Sequence, residues 1–190
     1  MSKVREMLAR VPILVWFLLP TLIIVGVGVF FVSKSTIGKE EDSSKPAPVS
    51  KDVPGTQEFT IVSREHIASG TSGSGYNSDP PTSGPHWNGP ASKGVYDKEF
   101  PDEQLIHNLE HGYILISYKP DVGDDVINKL KAIVLKNDWK IVMEPREKDD
   151  AKIVLAAWGR LLKMNDLDEN TVRDFINTYR NRGPEKTTEN

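Results

Sequence analysis

The sequence has no cysteine among its 190 residues. Cysteine supplies disulfides, thiolate metal ligands, thiol nucleophiles and a site for N-terminal lipid attachment, so its absence excludes all four. Histidine is almost as scarce, and its four copies lie within one stretch of the chain: His66, His86, His107 and His111. Any site for a soft or borderline metal ion must therefore be built from imidazole, carboxylate or thioether groups.

An excess of positive charge is also missing. The 24 Lys and Arg residues face 27 Asp and Glu residues, which gives a formal net charge of −3 at pH 7. A nucleic-acid-binding protein needs a basic surface to neutralise phosphates, so nucleic acid is not an expected partner. The sequence also lacks a Gly-rich phosphate loop and a G-x-S-x-G elbow, and it indicates no organic cofactor.

One long apolar run lies near the N-terminus. Residues 11–32 are uncharged and span roughly 33 Å as a helix, enough for a hydrocarbon core of ~30 Å. Residues 1–10 carry Lys3, Arg5 and Arg10, and positive charge at this end favours a cytoplasmic N-terminus. The pattern predicts a single-pass signal anchor in the cell membrane, with the rest of the chain extracytoplasmic. A cleaved signal peptide is the alternative, but it has a shorter apolar core and a small-residue cleavage site, which residues 32–35 do not offer.

The remainder divides into a tether, a domain and a tail. Residues 33–56 are polar and Pro-containing and predict a flexible tether, residues 57–185 an exported domain, and residues 186–190 a short tail. Within the domain, the apolar patterns predict strands over 58–63, 113–118, 140–144 and 152–158, and helices over 101–111, 122–137 and 168–180. The predicted fold is a single α+β domain with a mixed or mostly antiparallel sheet covered by helices, preceded by one N-terminal transmembrane helix.

Two connections in this domain are unusual. Residues 69–98 form a long segment rich in Gly, Ser and Pro, and loops of this length in compact domains are usually functional or disordered. Pro80-Pro81 and Trp87 favour an ordered loop. The charged residues 146–150 predict a turn between two strands, and residues 147–150 are expected to be solvated.

The helix over 101–111 carries the candidate site. At about 100° per residue, His107 and His111 share one face with Glu103 and Glu110, whereas the leucines lie opposite. Imidazoles at i and i+4 can chelate one ion, and a third can come from the loop. The predicted ligands of a zinc or copper ion are His86, His107 and His111, supported by Glu103, Glu110 and Trp87. Met143 is a possible thioether ligand that would favour copper.

Other interpretations of the same residues stay open. His107-Asn108-Leu109-Glu110-His111 matches the H-x-x-E-H pattern of zinc peptidases, in which Glu110 would activate water. His111 can instead cap the helix end, and His86 can hold the loop by hydrogen bonds. In that case the loop and the helix face form a non-metal module for an unidentified envelope partner or small ligand.

Several sequence blocks carry a family resemblance: residues 82–87 (TSGPHW), 94–96 (GVY), 107–112 (HNLEHG), 157–160 (AWGR) and 183–185 (GPE). They resemble the signature blocks of the domain of unknown function 3105 family over roughly residues 57–185. Members are typically bacterial and often have one N-terminal membrane segment. The resemblance implies no catalytic residue. Its blocks include His86, His107 and His111 but not His66, so His66 is left outside the predicted site.

Overall fold

The computed structural model describes residues 52–188, whose apolar runs form a six-stranded mixed sheet with three helices. The strands are β1 (Gln57–Glu58), β2 (His66–Ile67), β3 (His86–Trp87), β4 (Gly94–Val95), β5 (Ile114–Tyr118), β6 (Ile141–Pro145), β7 (Ile153–Ala157) and β8 (Arg160–Met164). The helices are α1 (Asp102–Glu110), α2 (Asp124–Lys136) and α3 (Glu169–Tyr179). The predicted α+β class is thereby confirmed.

The large sheet has the strand order β1-β8-β7-β5-β6-β4. β5 pairs with β6 in parallel and with β7 antiparallel, so the sheet is mixed. Both faces of the central strand β5 are buried: Ile114 and Ile116 contribute to one core cluster and Leu115 to the other. This double burial explains why β5 is apolar at successive positions instead of alternating. β2 and β3 form a separate parallel pair.

Helices cover the two faces of the sheet unequally. α2 and α3 pack on one face through Leu130, Val134 and Phe175. α1 and the loop cover the other face through Leu105, Leu109 and Ala91. The histidine-bearing residues 84–111 therefore lie in the layer formed by α1 and the loop.

The predicted helices and the longer predicted strands are confirmed, but several other elements differ. Of the predicted strand 58–63, only Glu58 pairs in the sheet, as the second residue of β1. β2, β3, β4 and β8 were not predicted. β8 follows β7 through Trp158-Gly159, where Gly159 has φ +67°. The charged turn is not fully solvated, because Arg146 and Asp149 are buried. The strands on either side of it are also not neighbours, since β5 lies between β6 and β7.

Arg146 explains why charges are buried in this turn. Side chains alternate along an extended chain, so residues 142, 144 and 146 lie on the same face of the sheet. Val142 packs in the core cluster beneath the loop and α1, so Arg146 faces that layer as well. Arg146 Nη1 lies 2.5 Å from Asp149, and Nη2 lies 2.5 Å from Asp79 and 3.2 Å from Asp102. One guanidinium thus ties the turn, the loop and the start of α1 together.

The described region begins inside the predicted tether. Val53 is buried in the core and its amide hydrogen-bonds to the hydroxyl of Tyr179, so the domain starts a few residues before the predicted boundary at 57. The predicted segments 1–10 and 11–32, and most of the tether, lie outside the described residues. Within residues 52–188, no helix combines the length and apolarity needed to cross a membrane.

Candidate metal site

α1 brings two of the site residues into the interior. Acidic residues occupy its first turn, as expected at the positive end of the helix dipole, and the helix ends at Glu110, two residues before Gly112, which has φ +80°. Leu105 and Leu109 pack on the sheet. His107 and Glu110 are also buried, although both are polar. They are covered because the loop lies across the other side of α1.

The other two residues come from the parallel pair β2 and β3. The amide of Gly84 donates to Ser63 O at 3.2 Å, and that of His86 donates to Glu65 O at 2.9 Å. This register places His66 directly opposite His86. Their ring centroids are 4.6 Å apart, and that of His107 lies 5.2 Å and 5.4 Å from them.

Four side chains converge on one point. His66, His86, His107 and Glu110 each offer a ligand atom, and these atoms all lie within 4.8 Å of one another. Glu110 Oε2 is 3.0 Å from His86 Nε2 and 3.5 Å from His66 Nε2. Tetrahedral zinc with bonds of ~2.0–2.1 Å separates its ligand atoms by ~3.3 Å. The spacing is thus close to that of a metal site, and this group, referred to below as the His₃–Glu cluster, can hold a metal ion.

The ring nitrogens of His86 have fixed roles. Nδ1 lies 2.7 Å from Gly84 O, and because a carbonyl oxygen can only accept, Nδ1 carries a proton. Nε2 is then the nitrogen directed at Glu110 and at the cluster. Metal-binding histidines commonly donate their second ring N–H to a backbone carbonyl in this way, which fixes the tautomer and the ring orientation.

His107 has a buried nitrogen without a hydrogen-bond partner. Its Nδ1 has no partner among the described residues, whereas the ring also makes a hydrogen bond with the backbone of Trp87. Burial, and then the nearby imidazoles of His111, His86 and His66, lower the pKa of His107. The neutral ring is the form that binds metal, and a bound ion would give a buried polar atom the partner that such atoms nearly always have.

Glu110 supplies the negative charge of the cluster. Burial raises the pKa of Glu110, but hydrogen bonds and charge from Arg64 and His86 outweigh it, so the pKa lies below its ordinary value. Arg64 Nε lies 2.6 Å from Oε1, while Oε2 faces the imidazoles. The carboxylate is therefore ionised at neutral pH and divided between two roles: one oxygen on Arg64, the other on the cluster.

The structure brings some of the predicted residues together and leaves others apart. His86 and His107 lie in the cluster, and Glu110, predicted as supporting, is a full member. His111, predicted as a ligand, is outside it: at the helix end its Nε2 lies 3.4 Å from Glu185. Glu103 accepts from the amide of Gly73 at 2.8 Å, so it holds the loop on α1.

Two further residues are placed by the same geometry. Trp87 Nε1 donates to Thr71 O at 2.8 Å, closing the loop on itself beside the cluster. Met143 belongs to the core cluster on the α2 and α3 face, whereas its neighbour Val142 faces α1. A thioether ligand from Met143 is therefore ruled out, because it lies on the opposite side of the sheet.

His66 lies outside the site predicted from the sequence, and Arg64 was not among the predicted site residues. One feature of the sequence does point to His66: all four histidines of the chain lie between residues 66 and 111. For Arg64 there was no local signal, because its contacts with Glu110 and Glu185 span 46 and 121 positions.

Fold and site together define an α+β domain that carries a buried cluster of three histidines and one glutamate. The chain belongs to the family described as Protein of unknown function (DUF3105), whose sequence model matches residues 66–190 and so includes the whole cluster. The family resemblance of the sequence blocks is thereby confirmed. No curated protein matches the chain, and no solved structure matches it.

Proposed function

We propose that this domain binds one zinc or Cu(II) ion through His66, His86, His107 and Glu110. The observation that carries the proposal is the convergence of four ligand atoms within 4.8 Å at a place where three of the residues are buried. Three imidazoles and one carboxylate without thiolate suit either of these ions.

The surroundings of the cluster also support a metal centre. His86 is held by Gly84 O, His107 by the backbone of Trp87, and Glu110 by Arg64. Partners of this kind orient ligands and raise metal affinity. His66 differs from the other three because its side chain is 40% exposed, so it forms the side of the site through which an ion can enter.

The test is metal titration of the purified full-length chain in detergent solution, with stoichiometry from elemental analysis. We expect one equivalent of Zn²⁺ or Cu²⁺ in the wild type. His66→Ala should weaken binding by at least ~10-fold, since removing one of four ligands leaves an incomplete site. The fold should survive, because His66 is exposed, and circular dichroism of the metal-free variant checks this. His107→Asn extends the test to a buried ligand.

His111→Gln is the matched control. The sequence pattern makes His111 a ligand, whereas the geometry places it outside the cluster. Binding that is lost in His111→Gln and kept in His66→Ala would contradict the ligand set proposed here. A wild-type chain without stoichiometric metal would leave the non-metal interaction module as the better hypothesis.

Glu110→Gln separates a carrier from a hydrolase. In the H-x-x-E-H hypothesis the Glu is a base and not a ligand, so the variant would keep its ion and lose hydrolytic activity. In the proposal made here Glu110 is a ligand through Oε2, so the same variant should bind the ion more weakly, and the wild type should show no hydrolysis to lose.

We also propose that residues 11–32 anchor this domain in the cell membrane with the domain outside the cytoplasm. The support is the uncharged run preceded by Lys3, Arg5 and Arg10. Protease added to intact cells should remove the domain and leave a short membrane-bound N-terminal fragment. Protection of the whole chain until lysis would contradict this orientation.

A further inference from the structure

The C-terminal segment reaches the cluster from outside the sheet. After α3, the amide of Asn181 donates to Gly112 O at 2.7 Å and that of Glu185 donates to Glu110 O at 3.1 Å. Residues 181–185 thus run along the C-terminal end of α1 and satisfy carbonyls that a helix end leaves without partners. Lys140 reinforces this contact, because its Nζ lies 2.7 Å from His111 O and 3.0 Å from Asn181 Oδ1.

Gly183 allows this segment to lie so close. A Cβ at this position would overlap the carbonyl oxygen of Glu110 and the amide nitrogen of Gly112. Both are backbone atoms at the end of α1, so they cannot move aside without distorting the helix that carries two cluster residues. A residue with a side chain at 183 would therefore push the segment off α1.

The side chain of Glu185 then connects the segment to the cluster. Its Oε1 lies 2.8 Å from Arg64 Nη2, and Arg64 Nε lies 2.6 Å from Glu110 Oε1. The guanidinium of Arg64 therefore contacts two carboxylates at once, the exposed one of Glu185 and the buried one of Glu110. With Oε1 occupied, only Oε2 of Glu110 is directed at the imidazoles.

The ion pair between Arg64 and Glu185 contributes little to the stability of the fold. The side chains of Arg64 and Glu185 are 48% and 39% exposed, and ion pairs this accessible contribute only ~0–1 kcal/mol to folding. Their geometry nevertheless fixes which oxygen of a buried carboxylate faces the cluster.

We infer that Glu185 and Arg64 are positioning residues of the metal site, an inference that rests on the proposed metal-binding function. Glu185 holds Arg64, and Arg64 holds Glu110 so that the carboxylate binds the ion through one oxygen. The C-terminal segment 181–185 is then a structural part of the metal centre and not a peripheral tail. Groups that orient metal ligands in this manner typically contribute 10–100-fold to metal affinity.

The experiment measures Zn²⁺ affinity by competition with a chromophoric chelator on the full-length chain. Arg64→Gln and Glu185→Gln should each weaken binding by ~10–100-fold. Because the two residues act in series, the double variant should bind no more weakly than Arg64→Gln alone, which is the non-additivity expected of coupled residues. Arg64→Lys should recover part of the loss, since a single ammonium can contact Glu110 but cannot span both carboxylates.

Co²⁺ substitution supplies a readout that a purely structural role would not change. Its visible absorption depends on the number and arrangement of ligand atoms, so we expect a shifted spectrum in Arg64→Gln, where Glu110 is free to bind through both oxygens. Glu58→Gln is the matched control, because Glu58 forms an exposed ion pair of the same length, 2.8 Å, with Arg160 away from the cluster. It should leave affinity and spectrum unchanged.

Gly183→Ala tests the segment itself, with Gly89→Ala as its control, since a Cβ at Gly89 meets nothing within 4 Å. Gly183→Ala should weaken Zn²⁺ binding as Glu185→Gln does, and Gly89→Ala should not. Wild-type affinity in both Glu185→Gln and Arg64→Gln would overturn the inference while leaving the metal site intact if His66→Ala still loses the ion. A wild type that binds no metal would overturn both proposals.

Discussion

Replacing Glu144 by glutamine should stabilise this domain at alkaline pH and have little effect at pH 5. Glu144 lies in β6, is fully buried, and accepts a hydrogen bond from the amide of Phe100 at 2.9 Å, while its Oε1 has no partner among the described residues. Burial, aided by the nearby charges of Glu99 and Asp102, raises its pKa to about 8 despite the Phe100 amide and Arg146.

The sign and size of the effect follow from linkage. An unfolded Glu has a pKa of ~4.3, so between that value and pH 8 the folded chain keeps a proton that the unfolded chain has lost. Stability from Glu144 is therefore fully present below the unfolded pKa and falls as pH rises towards 8. At ~1.4 kcal/mol per pH unit the total loss is at most ~5 kcal/mol, and relaxation of the charged state makes ~2–4 kcal/mol the expected value.

Glutamine mimics the protonated acid and keeps a carbonyl oxygen for the Phe100 amide. The assay is urea unfolding followed by tryptophan fluorescence, for wild type and Glu144→Gln in parallel at pH 5, 7 and 9. The difference between the two proteins removes the contribution of all other titrating groups. This difference should be at most ~1 kcal/mol at pH 5 and grow in favour of the variant up to pH 9. A difference that is constant across this range would refute the reasoning.

Three further outcomes are expected. Arg146→Met should destabilise the domain by ~3–5 kcal/mol in urea unfolding, because the buried carboxylate of Asp149 loses its cationic partner and keeps only the hydroxyl of Ser117; a loss below ~1 kcal/mol would contradict that role. Phe175→Ala should lower the free energy of unfolding by ~3–5 kcal/mol, because Phe175 is fully buried between α3 and the sheet. Leu135→Ala is its control: Leu135 is 71% exposed, so its loss should change stability by less than ~0.5 kcal/mol. Zn²⁺ at ~1,000 times its dissociation constant should stabilise the wild type by ~4 kcal/mol and His107→Asn by much less, as measured by thermal unfolding.

The elements with a strong local pattern were predictable from sequence. The predicted bounds of α2, α3, β5, β6 and β7 agree with the structure within two residues. Hydrophobic periodicity and the residues that begin and end helices are local signals, so the sequence is enough to place these elements. β8 was not predicted because its apolar run is only Leu161-Leu162, between the charged residues Arg160 and Lys163. The preceding Trp158-Gly159 turn was the better signal, since a two-residue turn with Gly is typical of hairpins.

The candidate site was predictable only in part. His107 and Glu110 are brought to one face by the period of a single helix, and His86 lies in one of the sequence blocks that carry the family resemblance. The exchange of His111 for His66 could not be derived in this way. The position of His66 beside His86 depends on the parallel register of β2 and β3. The spacing of residues along the chain does not indicate the register between two distant segments.

The absence of cysteine, the scarcity of histidine and the helix that presents His107 and Glu110 together were thus determined by the sequence alone, because they depend on composition and on the geometry of one helix turn. The tertiary structure decided which other groups complete the cluster. Arg64 and Glu185 are 121 positions apart, yet they meet at Glu110 because residues 181–185 pack against the end of α1. Contacts over such separations are set by how the layers pack, which local pattern cannot report.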